Sequence, residues 1–100
     1  MKSRNGNDRA VSMAGALRSI AHPDRLRILM LLGCEKELSV SEIQAKIGLT
    51  QSMTSQHLAA MKAKGVLTAD KRDNRVFYSI YNRDVLKVIS CMKKCAGGER

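Results

Sequence analysis

The sequence predicts a mainly α fold with a small β-hairpin, in the order α-α-(β)-α-α-β-β-α. Apolar residues recur every three or four positions over most of the chain, as on amphipathic helices. A short helix, a tight turn and a second helix with small polar groups on its outer face occupy roughly 41–64. Residues 66–81 instead alternate apolar and polar around the basic tip Lys71-Arg72-Asp73-Asn74-Arg75, the pattern of a hairpin.

Residues 1–8 are polar and basic and are read as a disordered tail ahead of one domain over 9–96. From Arg9, Val11, Met13-Ala14, Leu17 and Ile20-Ala21 repeat at helical spacing. His22-Pro23 ends that helix, because the residue before a proline avoids the α region. Pro23 then opens the next helix, where its missing N–H costs nothing. Leu26, Ile28, Leu29, Met30, Leu31 and Leu32 cover nearly every side of it, which marks a central buried element, and Gly33 is its expected stop. Leu38-Ser39-Val40 is a short strand-like link. Ser41 is placed as the cap of the next helix, which Gly48 breaks. Thr50 caps the helix Gln51–Lys64, with Met53, His57-Leu58 and Met61 as its inner stripe and Gly65 as its close. Strands 66–71 and 75–81 turn at Asp73-Asn74. A last helix runs from Arg83 to about Cys95, ended by Gly97-Gly98.

The 100 residues include only 3 aromatics, so the core must be aliphatic, and dimerisation would help so small a core. Against 9 Asp+Glu stand 18 Lys+Arg, a net charge of +9 that favours polyanion partners. No segment approaches the ~18 apolar residues of a membrane span. Met1 to Arg9 has no apolar signal-peptide region, so a cytoplasmic protein with mostly reduced cysteines is expected. Three cysteines, an odd number, argue further against a disulfide framework.

A helix that enters the DNA major groove must present short polar side chains near its N-terminus, so that its backbone can approach the base edges. Gln51, Ser52, Ser55 and Gln56 have that size and placement. Gln bonds adenine edges bidentately, and Ser serves several bases or a phosphate. Lys62 and Lys64 suit phosphate contacts, which position without specifying. At the hairpin tip, Lys71, Arg72 and Arg75 suit the minor groove or the backbone. The bland alternative is a solvated polar face. Thr54 is expected half-buried against the preceding helix, and His57 to pack at the helix–core edge rather than touch DNA. Ser55 and His57 are two apart on a helix and do not face each other, and there is no carboxylate pair or Gly-rich phosphate loop, so no enzyme is expected.

Four pieces, in order and at these intervals, carry a resemblance. They are Ala21-His22-Pro23-Asp24-Arg25-Leu26-Arg27-Ile28-Leu29, Glu37-Leu38-Ser39-Val40-Ser41-Glu42-Ile43, Ser52-Met53-Thr54-Ser55-Gln56-His57-Leu58 and Arg75-Val76-Phe77-Tyr78-Ser79-Ile80. With them the stretch from Val11 to Cys95 resembles the ArsR/SmtB family of bacterial winged helix-turn-helix repressors. The resemblance implies a homodimer joined by the first and last helices. It also implies double-stranded operator DNA as the partner and release by an inducer. The rival reading is a basic nucleic-acid-binding or protein-adaptor module without operator specificity.

The family senses metals, metalloids or reactive sulfur. Its arsenic-sensing members carry two cysteines in the first helix of the motif, where this chain has Ser39 and Ser41. Its zinc sensors use Asp and His along the last helix, which here has Asp84 and no histidine. Cys34, Cys91 and Cys95 remain as candidate sensor residues. Cys91 and Cys95 are four apart, hence on one helical face, and Cys34 is placed just past the second helix. Three thiolates suit a thiophilic metalloid such as arsenite, and two can be bridged by oxidation or reactive sulfur. The segment from Gln51 to Leu58 looks most like the reactive-sulfur branch, whose second-helix cysteine falls at Met30 here. The other reading is that Cys91 is a small buried hydrophobe and Cys34 and Cys95 are incidental.

Overall fold

The structure is a computed structural model that describes residues 2–97, with side chains for 8–92. Among the described residues the elements are α1 Lys2–Ile20, α2 Pro23–Glu35, β1 Leu38–Ser39, α3 Val40–Ile47, α4 Gln51–Ala63, β2 Leu67–Arg72, β3 Arg75–Ile80 and α5 Arg83–Gly97. This is the expected order, with the link between α2 and α3 realised as a strand. The sheet is antiparallel in the order β1-β3-β2.

One aliphatic core holds these elements together. Ile28, Leu29 and Leu32 of α2 are its centre, and Ala16 and Ile20 of α1 join it on one side. Ile43, Leu58 and Met61 bring in the helix-turn-helix, and Val85 and Ile89 bring in α5. Burying each large side chain contributes about 1.5–3 kcal/mol.

Several local boundaries differ from the sequence reading. Helix α1 begins at Lys2 rather than Arg9, so residues 2–8 of the expected tail are helical. Propagation adds a hydrogen bond for each residue fixed, and an anchored helix can outrun its apolar stripe. Helix α2 continues past Gly33 to Glu35, where Lys36 at φ 70° returns its N–H to the Leu32 carbonyl. Cys34 therefore lies inside α2 rather than beyond it. The cap of α3 is Ser39, not Ser41. Its hydroxyl accepts from the Glu42 N–H and its own N–H donates to the Glu42 carboxylate, a reciprocal capping box. These bonds hold the Glu42 carboxyl below its ordinary pKa, the backbone N–H being the largest cause.

The turn between α3 and α4 depends on Gly48, whose φ of 81° lets its N–H close on the Gln44 carbonyl at 2.8 Å. Thr50 caps α4 as expected, accepting from the Met53 N–H at 3.1 Å. At the hairpin tip Asp73 and Asn74 both have positive φ, 51° and 64°. Two such residues make the turn whose twist matches that of paired strands. It sets Arg72 opposite Arg75 and Leu67 opposite Ile80.

The two serines before α3 separate in a stability measurement. Ser39→Ala should cost about 1 kcal/mol through the lost cap. Ser41→Ala should stay within about 0.5 kcal/mol, as for an exposed substitution. Urea unfolding of both variants checks this.

Candidate nucleic-acid interface

Helix α4 is held by Thr54, His57, Leu58 and Met61, all buried at spacing i, i+3, i+4, i+7. Thr54 is fully buried rather than half-buried, and its hydroxyl donates to the Thr50 carbonyl at 2.8 Å, which makes burial affordable. Met53 was expected on this stripe but is 44% exposed. Thr54 takes the inward place because it lies three, four and seven positions before His57, Leu58 and Met61, whereas Met53 is five before Leu58 and so on another side of the helix.

That burial fixes what α4 shows to solvent. Gln51, Ser52, Ser55 and Gln56 are exposed on its first two turns, and Lys62 and Lys64 are exposed at its far end. The fold brings part of this set against the hairpin. A groove is lined by Gln51 and Ser55 of α4, by Ser39, Val40, Ser41 and Gln44 around α3, and by Asn74, Arg75 and Val76 of the hairpin. The Arg75 guanidinium donates to the Ser39 hydroxyl at 3.3 Å and so leans over this groove. Ser41, Gln44 and Asn74 are not among the DNA-contacting candidates of the sequence. Only the pairing of β1 with β3, between segments far apart in the chain, carries them there.

The basic tip residues divide. Arg72 is engaged within the protein: it donates to Glu37, pairs with Asp70 at 3.1 Å, and lies over the Phe77 ring at 4.2 Å. Glu37 keeps its guanidinium firmly charged but also neutralises it locally. Arg75 shares the Phe77 ring at 5.2 Å, and no ion pair to it is found among the described residues. Lys71 is exposed on the hairpin. The Glu37–Arg72 pair also clamps the hairpin to the segment just before β1.

His57 follows the expectation of a packed histidine at the helix–core edge. Its Nδ1 accepts from Arg25 Nε at 3.0 Å, while Arg25 Nη1 reaches the Ser19 carbonyl at 2.7 Å. Arg25 thus ties the end of α1 to α4. Burial, then Arg25 and His22, push the His57 pKa below its ordinary value of 6.5.

Neither Cys34 nor Cys91 is in a disulfide, and both are exposed. Cys91 is therefore not the buried hydrophobe of the bland reading. Cys34 lines a shallow apolar depression with Arg27, Met30, Leu31 and Ile47. The Cys95 side chain lies outside the described residues. No helix among the described residues is long and apolar enough to cross a membrane.

A capped two-helix motif with an exposed polar second helix, flanked by an antiparallel hairpin, defines the winged helix-turn-helix class of DNA-binding proteins. The chain belongs to the arsR family of bacterial regulatory proteins, whose family model matches residues 22–69. It is 37% identical over 84 residues to the HTH-type transcriptional regulator YgaV of Escherichia coli, covering 84% of this chain and 85% of that protein. It is 38% identical over 79 residues to the transcriptional repressor PagR of Bacillus anthracis, covering 79% of each. Among solved structures, HlyU from Vibrio cholerae matches with a TM-score of 0.82 at 31% identity, over 88% of this chain and 95% of that one. The homodimeric winged helix-turn-helix DNA-binding domain of Mb0332 from Mycobacterium bovis matches with a TM-score of 0.79 at 26% identity, over 91% of this chain and 83% of that one. The chain is a DNA-binding transcriptional regulator, a family without enzymatic activity.

The lowered His57 pKa has a signed consequence. Between the folded pKa and 6.5 the unfolded chain binds more protons, so stability rises with pH there. It is present above 6.5 and lost as pH falls through the folded value. Urea midpoints of the metal-free protein should fall as pH is lowered from 7, with a shallower slope in His57→Gln.

Proposed function

We propose that the chain is a repressor that binds an inverted-repeat operator as a homodimer. The observation that carries this reading is the convergence of Gln51 and Ser55 with Arg75 in one groove, beside Ser52 and Gln56 on the same helix. Gln51, Ser52, Ser55 and Gln56 read base edges in the major groove. Lys62, Lys64, Lys71 and Arg75 hold phosphates. Arg72 is reassigned in part: its engagement with Glu37 and Asp70 makes it chiefly a residue that positions the hairpin.

A dimer is supported by apolar side chains left exposed on the terminal helices. On α1 these are Val11 and Leu17, 67% and 42% exposed, and on α5 they are Leu86 and Val88. Removing such side chains from water favours association with a second copy. The homodimeric Mb0332 domain and the repressor PagR support the same assembly and the same sign of regulation. Two copies would present their α4 helices to successive major grooves, about 34 Å apart.

The exposed thiols Cys34 and Cys91, with Cys95, are proposed as the place where an arsenite-type metalloid or a reactive sulfur species acts as inducer. Such an inducer must bind the released geometry more tightly than the DNA-bound one, or the population does not shift.

The reading is tested by selecting genomic DNA fragments with the reduced protein and measuring affinity for the recovered sites at several salt concentrations. A shared inverted repeat with two chains per site is expected. Fragments with no common sequence would leave a basic module without operator specificity. Ser52→Ala and Gln56→Ala should lose about 1–3 kcal/mol of specific binding and little nonspecific binding. Arg75→Ala should lower the salt slope by about one. Arg72→Ala should lower it less, because its charge is already compensated.

The inducer reading stands or falls on the cysteines. Cys34→Ser or Cys91→Ser should keep operator affinity and lose release by arsenite or by a polysulfide. Unchanged release in the triple Cys→Ser variant would sink it.

A further inference from the structure

The chain has two histidines, and the fold brings both into one corner away from the DNA-facing groove. His22 caps α2 and His57 lies on the inner face of α4. Their rings are 4.7 Å apart, centroid to centroid, at an interplanar angle of 55°. Asp24, in the first turn of α2, completes the group, and one ligand atom from each of the three lies within 4.8 Å of the others. We propose that His22, Asp24 and His57 bind one divalent transition-metal ion of the zinc class, joining the start of α2 to the DNA-facing helix.

The donor set is what selects this class of ion. Two imidazoles and one carboxylate are ligands that zinc, cobalt and nickel accept, whereas magnesium and calcium want oxygen throughout and softer ions prefer thiolates. Metal–ligand distances of about 2.0–2.2 Å place ligand atoms about 3.3 Å apart in a tetrahedral site. Closing from the observed spacing takes shifts of about 1 Å, which the exposed His22 ring and the partly exposed Asp24 side chain can make while His57 stays packed. Arg27 engages one Asp24 oxygen at 2.7 Å, leaving the other for the metal. The exposed side of His22 leaves a further position open to water.

Protons and neighbours set the cost. The His22 Nδ1 accepts from the Asp24 N–H at 3.1 Å, and the His57 Nδ1 accepts from Arg25. Each neutral ring therefore carries its proton on Nε2. Coordination through Nε2 moves that proton to Nδ1, and coordination through Nδ1 displaces the present donor. In either case His57 no longer accepts from Arg25, so a metal link from α2 to α4 replaces the Arg25 link between α1 and α4. The Arg25 and Arg27 charges oppose the ion, and the Asp24 carboxylate offsets them. The site is separate from the cysteines, so it does not depend on the inducer reading.

The experiment uses the full chain without a histidine tag and with Cys34, Cys91 and Cys95 changed to Ser, so that no thiolate captures the probe. Titration with cobalt(II) should raise visible absorption that saturates at one equivalent per chain. Titration with zinc(II), followed by the side-chain 15N resonances of the two histidines, should move both rings together. Asp24→Asn should weaken binding at least tenfold, and His22→Gln should abolish the one-equivalent signal while circular dichroism shows an unchanged fold. Movement of the exposed His22 ring alone, no saturation at one equivalent, or equal binding by His22→Gln would overturn the proposal.

Discussion

The inward stripe of α4 is the constraint on which the rest depends. A helix can offer a row of short polar groups to DNA only if its opposite side is held so firmly that the row has one orientation. Thr54, His57, Leu58 and Met61 do this by burial in the aliphatic core. Two of the four are polar, and each is satisfied: Thr54 by the Thr50 carbonyl, His57 by Arg25. A buried polar group without a partner costs about 1–3 kcal/mol. The Arg25–His57 bond also indexes the helix, because it comes from α2 and forms only in one rotation of α4 about its axis, whereas the Thr54 bond closes on the cap of α4 itself.

Around that helix, the hairpin is aimed by charges that at first sight belong to DNA binding. Glu37 and Asp70 draw Arg72 inward, and Phe77 gives both Arg72 and Arg75 a surface to lie on. Arg75, bonded only to a neutral hydroxyl among the described contacts, keeps its charge available over the groove. One arginine sets the geometry and the other has its charge to offer. Exposed ion pairs of this kind contribute little to stability, so their importance lies in direction rather than in energy.

The corner formed by Ser19, His22, Arg25 and His57 has a different character. It links three helices through neutral imidazoles and a single guanidinium. Such a junction is sensitive to protons, and in our proposal to a metal ion, because either one takes the lone pair that Arg25 now uses. Helix α4 therefore rests partly on a contact that solution chemistry can alter.

The sequence by itself determined the order of elements, the Thr50 cap, the hairpin turn at Asp73-Asn74 and the polar row from Gln51 to Gln56. Each is written in local periodicity, in side-chain size or in the need for positive φ, and none needs a distant partner. Tertiary structure decided what depends on contacts between remote segments. Ser39 rather than Ser41 caps α3, in the strand where β1 meets β3. Thr54 rather than Met53 turns inward, because rotation about the helix axis is set by the core. Arg72 is engaged and Arg75 leans over the groove, because Glu37 and Ser39 are brought to them from more than thirty positions away. His22 and His57 meet for the same reason: spacing along a chain reports which residues share a helix face, but only packing reports which faces touch.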